Sequence, residues 1–221
     1  MNTKKYSPWL VALLIITPFI YSALIYPQLP SQIPTHFNIE GKADAWGGPE
    51  SIFIGPGIMG AVSIFIYVLM TNLKSFDPKK YDQANDTLYS NFAILTVAFL
   101  SILSTIIIYT STHADQINIG KLILPLVGLS FAGIGWYMPK FSQNYFVGFK
   151  LPWTLENVDN WNATHQMAGR VWIYGGLFQA LVTLVLPLKF GFIGFMLATA
   201  VMVIVPSVFS YRMFKRGNTI Q

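Results

Sequence analysis

The chain has 221 residues, 53% of them hydrophobic and 10% charged, whereas about a quarter of the residues are charged in an ordinary soluble domain. With 17 Phe, 11 Tyr, 6 Trp and a mean hydropathy of +0.51, it carries more apolar surface than a globule of this size can hide, so hydrocarbon must be part of its surroundings. The absence of cysteine excludes disulfides, thiolate nucleophiles and Cys-ligated metals, and the meaning of the +5 net charge depends on where the 14 basic residues fall.

Uncharged apolar runs occupy residues 8–26, 51–71, 91–111, 122–138, 171–188 and 190–211, each near the roughly 20 residues of a membrane-crossing helix. The expected fold class is an all-α integral membrane protein with six transmembrane helices. The first run follows Lys4 and Lys5 as a signal peptide would, but it is too long for one and meets no small-residue cleavage site before Tyr26-Pro27, so it reads as an uncleaved anchor. The last two runs are separated only by Leu188 and Lys189, and five spans also fit.

Orientation follows from the loops. If the N-terminus is inside, the inner connections hold Lys4, Lys5, Lys74, Lys79, Lys80, Lys140, Lys150, Arg170, Arg212, Lys215 and Arg216, and the outer ones hold Lys42, Lys121 and Lys189. Eleven against three is the bias expected of a protein with both termini cytoplasmic. The basic residues then set topology in a membrane, their partner is the lipid bilayer, and no direct nucleic-acid binding is expected. Two halves follow: residues 1–111 with an outer loop at 27–50, and residues 112–221 with a cytoplasmic segment at 139–170. The loops occupy equivalent positions, which a 3+3 inverted repeat permits, with Thr35-His36 echoed by Thr164-His165.

None of the apolar runs contains Asp, Glu, Lys, Arg or His, which argues against an ion-coupled carrier with an intramembrane relay. Pro18, Pro56, Pro125 and Pro206 interrupt four runs and are expected to be repaired locally. Gly55-Pro56-Gly57-Ile58-Met59-Gly60 matches a dinucleotide fingerprint in letters only, because it opens a membrane helix and follows no βαβ strand. Its glycines, with Gly128, Gly133, Gly135, Gly175 and Gly176, suit close helix approach. Trp9, Trp136 and Trp172 fit an aromatic belt at the span ends. The sequons at Asn85 and Asn162 fall on the cytoplasmic side and receive no role.

The outer loop combines prolines, Gly41 and Gly47-Gly48 for turns, and alternation over Ile33 to Ile39 that suggests a short extended segment. It reads as a structured cap, a recognition surface or, with His36, Asn38, Glu40 and Asp44, a weak metal set that lacks helical ligand spacing. In the inner segment Pro152 enforces an extended turn. Trp161, His165, Ala168 and Trp172 recur at helical spacing, so a helix is expected from about Glu156 to Val158 into the fifth span, with Glu156 and Asp159 at its N-terminus. Arg170 reads as a lipid-phosphate contact or as part of a polar cluster with Lys150 and His165. Neither loop supplies a nucleophile, a base and an orienting group together, so no catalytic, metal or cofactor residues are assigned.

These motifs carry a resemblance. Leu29-Pro30, Ile33-Pro34, His36-Phe37-Asn38, Gly41, Asp44 and Trp46-Gly47, together with Gly148, Pro152-Trp153-Thr154-Leu155, Trp161, His165, Gly169 and Arg170, resemble the SdpI-type membrane immunity proteins, as does the six-span layout. Lys150 stands where that family usually has Arg, so a point charge replaces a planar fork. The resemblance implies a non-enzymatic membrane protein that gives resistance to a secreted, membrane-active peptide toxin; the founding case also signals to a cytoplasmic regulator, a property the resemblance does not by itself carry over. A small permease or exporter for a peptide or lipid-like solute is the competing expectation.

Overall fold

A computed structural model describes residues 8–76, 86–113 and 116–218; Lys4, Lys5, Lys79 and Lys80 of the charge count and Asn85 of one sequon lie outside them. Among the described residues, six helices are long and apolar enough to cross a membrane. They are α1 (Pro8–Ile25), α2 (Ile54–Thr71), α4 (Asp86–Thr112), α5 (Gly120–Tyr137), α7 (Val158–Val185) and α8 (Leu188–Asn218), with short helices α3 (Leu73–Phe76) and α6 (Pro152–Glu156) between them. The outer loop adds an antiparallel hairpin, β1 (Ile33–Phe37) and β2 (Ala43–Gly47). The chain divides into two compact units, Met1–Asn72 with Tyr89–Ile123, and Leu73–Leu88 with Leu124–Gln221.

The first unit shows how a proline is tolerated in a spanning helix. Pro18 has no N–H to give to the carbonyl of Leu14 one turn earlier, and a carbonyl left bare in hydrocarbon costs several kcal/mol. Ser101 Oγ of α4 donates to that carbonyl at 2.6 Å. The repair therefore comes from a neighbouring helix and also ties α4 to α1. Gly60 of α2 lies at ordinary contact distance from Ile15 and Phe19 of α1, while Gly57 faces open space.

The second unit repeats the device. Pro206 deprives the Met202 carbonyl of its helical donor, and Trp172 Nε1 donates to that carbonyl from α7 at 2.9 Å. Trp172 is thus a rung between α7 and α8 and not a belt residue; Trp9 and Trp136 are exposed, as a belt requires. Gln179 Nε2 adds bonds to the Phe195 carbonyl (3.0 Å) and to Thr199 Oγ1 (2.7 Å). The turn between α7 and α8 comes at Leu186-Pro187, two residues before the expected break, because the residue preceding a proline is driven to an extended conformation (Leu186 φ −80°, ψ 156°).

Helices α5 and α7 approach until backbone meets backbone. A Cβ on Gly128 would lie 2.8 Å from the Gly176 carbonyl oxygen, and one on Gly135 would lie 2.7 Å from that of Gly169. The spacing is seven residues on each helix, so the four glycines form two reciprocal contacts along an antiparallel pair. Gly133 takes no part, having nothing within 4 Å of its Cβ position, and Gly175 instead accommodates Met202. Replacing Gly135 by Val should therefore lower the thermal midpoint of the detergent-solubilised protein, with a destabilisation of about 1–3 kcal/mol from overpacking. Gly133→Ala should leave the midpoint unchanged or raise it.

Candidate functional site

The two sequence motifs fold into two separate structures, one in each unit. The outer one is the hairpin. Ile33 is buried with Ile52 and Ile108, and Tyr21, Ile25, Leu29 and Phe53 pack around them, so one side chain of β1 anchors the whole loop. The extended segment expected over Ile33 to Ile39 is β1; its partner β2 pairs Ile33 with Gly47, Pro34 with Trp46, His36 with Ala45 and Phe37 with Ala43, with irregular register around Thr35 and His36. Pro34 is acceptable because a two-stranded sheet has only edges.

The tip is an Asx turn. Asn38 Oδ1 accepts from the N–H groups of Glu40 (2.9 Å) and Lys42 (3.1 Å), and Gly41 holds the positive φ of 74° that closes it. Asn118 Nδ2 donates to the Glu40 carbonyl at 2.8 Å from the α4–α5 connection, and it occupies the space a Cβ on Gly41 would need. The suggested metal set does not converge. Asn38 is spent on its turn, Glu40 faces Lys42 at 3.2 Å, and among the described residues no three His, Cys, Asp or Glu side chains gather. What remains exposed is a His36–Asp44 pair, Nδ1 to Oδ1 at 2.5 Å, beside Ile39 and Trp46.

The inner segment is built more tightly. Asn144, buried, accepts from the N–H groups of Phe146 (2.8 Å) and Val147 (2.7 Å) and donates to Ser142 O (2.8 Å), turning the chain back on itself. Leu151 is extended, as expected before proline, but Pro152 then opens helix α6 instead of a simple turn, since its fixed φ and missing N–H suit a first helical position. Thr154 Oγ1 accepts from Leu151 N–H (2.9 Å) and donates to Phe149 O (2.6 Å). Glu156 ends α6, so the N-terminus of α7 is served by Asn157, whose side chain accepts from Asn160 N–H at 2.8 Å, with Asp159 in the first turn.

Helix α7 starts at Val158, and the stripe of Trp161, His165 and Ala168 is fully buried. Trp161 Nε1 donates to Phe141 O at 2.9 Å. His165 stacks on Trp161 (3.9 Å between ring centroids), places Nδ1 2.7 Å from Trp161 O and accepts from Phe149 N–H through Nε2 at 3.0 Å. This pattern requires a neutral imidazole with the proton on Nδ1. Gly148, at φ 113°, brings the chain so close that a Cβ would overlap His165 Nε2. Trp153 Nε1 donates to Ser210 Oγ (2.7 Å), Ser210 Oγ to Asn160 Oδ1 (2.6 Å) and Asn160 Nδ2 to Ser210 O (3.0 Å), which binds the segment to α8 as well.

The expected cluster of Lys150, His165 and Arg170 does not form. His165 is locked into the segment, Lys150 Nζ turns to Phe146 O (3.1 Å) and Arg170 is exposed. Because α7 begins three turns before its apolar run, a helix long enough to span also carries Asp159, His165 and Arg170. Gly169 packs on Gly135 and Pro139. Asn144, Asn160 and Ser210 were not legible as site residues, although Asn160 adjoins the buried stripe and Ser210 is a hydroxyl near the end of an apolar run.

Comparison with known proteins matches both structures. Residues 140–210 match the SdpI/YfhL protein family, a stretch that runs from the inner segment to Ser210, the residue that ties α8 to it. The chain is similar to that family over this stretch. Residues 13–60, which contain the hairpin, match a domain of unknown function, DUF1648. The chain is 26% identical over 171 residues to "Immunity protein SdpI" of Bacillus subtilis (strain 168), covering 77% of this chain and 78% of that protein. An uncharacterized protein of Archaeoglobus fulgidus is 32% identical over 65 residues, 29% of this chain and 35% of its own length. No solved structure matches. With six helices able to span a membrane and this similarity to an immunity protein, the chain is a multi-pass bacterial membrane protein.

Gly148→Ala should strain the backbone and collide with His165, detaching the inner segment at a cost of about 1–3 kcal/mol. Limited proteolysis between residues 141 and 157 should accelerate in Gly148→Ala and His165→Ala and stay at the wild-type rate in Lys150→Ala.

Proposed function

We propose that this protein protects a bacterial cell against a membrane-active peptide. The hairpin meets the peptide outside the membrane, and the inner segment answers on the cytoplasmic side. The observation that carries this reading is the similarity to an immunity protein over three quarters of the chain, with the family matches falling on the two regions that fold into hydrogen-bonded appendages. The chemistry of the hairpin fits: an exposed indole and isoleucine beside a His–carboxylate pair can meet an amphipathic peptide with both apolar and charged contacts. Neither appendage supplies a nucleophile with a base and an orienting group, so the action is binding and exclusion.

The orientation belongs to the same proposal. The basic-residue bias supports an orientation with both termini and the inner segment in the cytoplasm and the hairpin outside, and an inverted repeat of residues 1–111 and 112–221 would be compatible with it. Signalling to a cytoplasmic regulator would run through the inner segment, whose exposed Tyr145 lies on its surface.

Deleting the gene should sensitise cells to at least one membrane-active peptide, with the wild-type copy restoring growth. His36→Ala or Trp46→Ala should restore it less well while the protein accumulates normally. Unchanged sensitivity of the deletion across such peptides would sink the proposal, and solute flux in proteoliposomes would point to the permease instead. The natural absence of cysteine makes labelling simple: Cys at position 39 should react with an impermeant maleimide in intact cells, and Cys at 145 only after permeabilisation.

A further inference from the structure

Helix α7 exposes Asp159, Asn162, Gln166 and Arg170 at intervals of three or four residues, a single polar row along one face. Past Arg170 the row continues as Tyr174 and Phe178 and enters an apolar groove of about 600 Å³ between α7 and α8, lined also by Gly175, Leu197 and Ala198. Its lining combines the small Gly175, Gly194 and Ala198 with large apolar side chains. Arg170 stands at the mouth, exposed and with no hydrogen bond or ion pair among the described residues.

A guanidinium next to the apolar run of a spanning helix needs a counter-anion, since a charge unmatched at membrane depth costs about 2.5–3.5 kcal/mol or more. The stretch from Arg170 to Phe178 is eight residues, about 12 Å of helix. That is too short to seat a second spanning helix, which needs about 30 Å, but long enough to take part of a flexible hydrocarbon chain. We propose that the groove holds one acyl chain of an anionic phospholipid whose phosphate is bound by Arg170, with Gln166 one turn away to share it. Charge complementarity selects the headgroup and the groove selects the chain. The site lies within the second unit and does not depend on the immunity reading.

The test uses the full chain in micelles doped with equal amounts of phosphatidylglycerol and phosphatidylcholine, with retained lipid counted by native mass spectrometry. The wild type should retain phosphatidylglycerol about tenfold better. Arg170→Gln should bring it down to the phosphatidylcholine level, and Arg170→Lys should keep part of the preference. Ala198→Phe, which fills the groove and leaves the charge in place, should lower retention of both lipids. Thermal melts establish that each variant is folded; should Ala198→Phe not be, Arg170→Gln decides alone, because its side chain is exposed and touches no partner. Equal retention of the two lipids by the wild type, or wild-type retention by Arg170→Gln, would overturn the proposal. So would a hydrophobic peptide that binds the groove and is lost in Ala198→Phe while the lipids show no preference.

Discussion

No backbone donor or acceptor can be left bare in hydrocarbon, and much of this molecule is an answer to that requirement. The two prolines with a described repair, Pro18 and Pro206, each strand a carbonyl, and each carbonyl is taken by a side chain of another helix: Ser101 for Leu14 and Trp172 for Met202. A defect in one helix thereby becomes a bond between two. Since lipid provides no hydrophobic drive between helices, such bonds and close glycine contacts help to hold helices together within each unit. Gly128, Gly135, Gly169 and Gly176 supply the contacts, and Gln179 a further rung.

The same requirement shapes the inner segment. Residues 141–157 form no long helix, so their polar groups must be met one at a time. Asn144, Thr154, Trp161 and His165 all direct side-chain hydrogen bonds to backbone groups of the segment. The residues of the inner segment's motif are therefore largely pins. Gly148 makes room for His165, Trp153 reaches Ser210, and Thr154 holds the turn into α6. In the inner segment's motif Lys150 and Arg170 are exposed; Lys150 still reaches Phe146 O, which leaves Arg170 open to lipid or a partner.

The six spans were legible because hydropathy is a property of composition, and the buried stripe of Trp161, His165 and Ala168 because helical spacing survives in letters. The first strand showed its alternation. Its partner β2 did not, since Ala43 to Gly47 has no apolar face of its own and exists as a strand only by pairing with β1. Three readings failed, two of them because partners distant in sequence decide them. Trp172 looked like a belt residue until Met202 lost its donor to Pro206. Lys150, His165 and Arg170 looked like a cluster until Phe149 claimed the imidazole. Pro152 looked like a turn until Thr154 stabilised a helix behind it. The functional class came from motif resemblance, because nothing in the chemistry of either appendage names a ligand by itself.

The central claim is that the inner segment is a folded part of the α7–α8 pair and not a free cytoplasmic loop. Amide hydrogen exchange of the protein in micelles tests it directly. The account predicts that the amides of Phe146, Val147, Phe149 and Leu151, each bonded to a side chain, exchange as slowly as those in the first turns of α7, and that His165→Ala releases Phe149 first. Exchange of all four at the rate of an unstructured peptide in the wild type would contradict it.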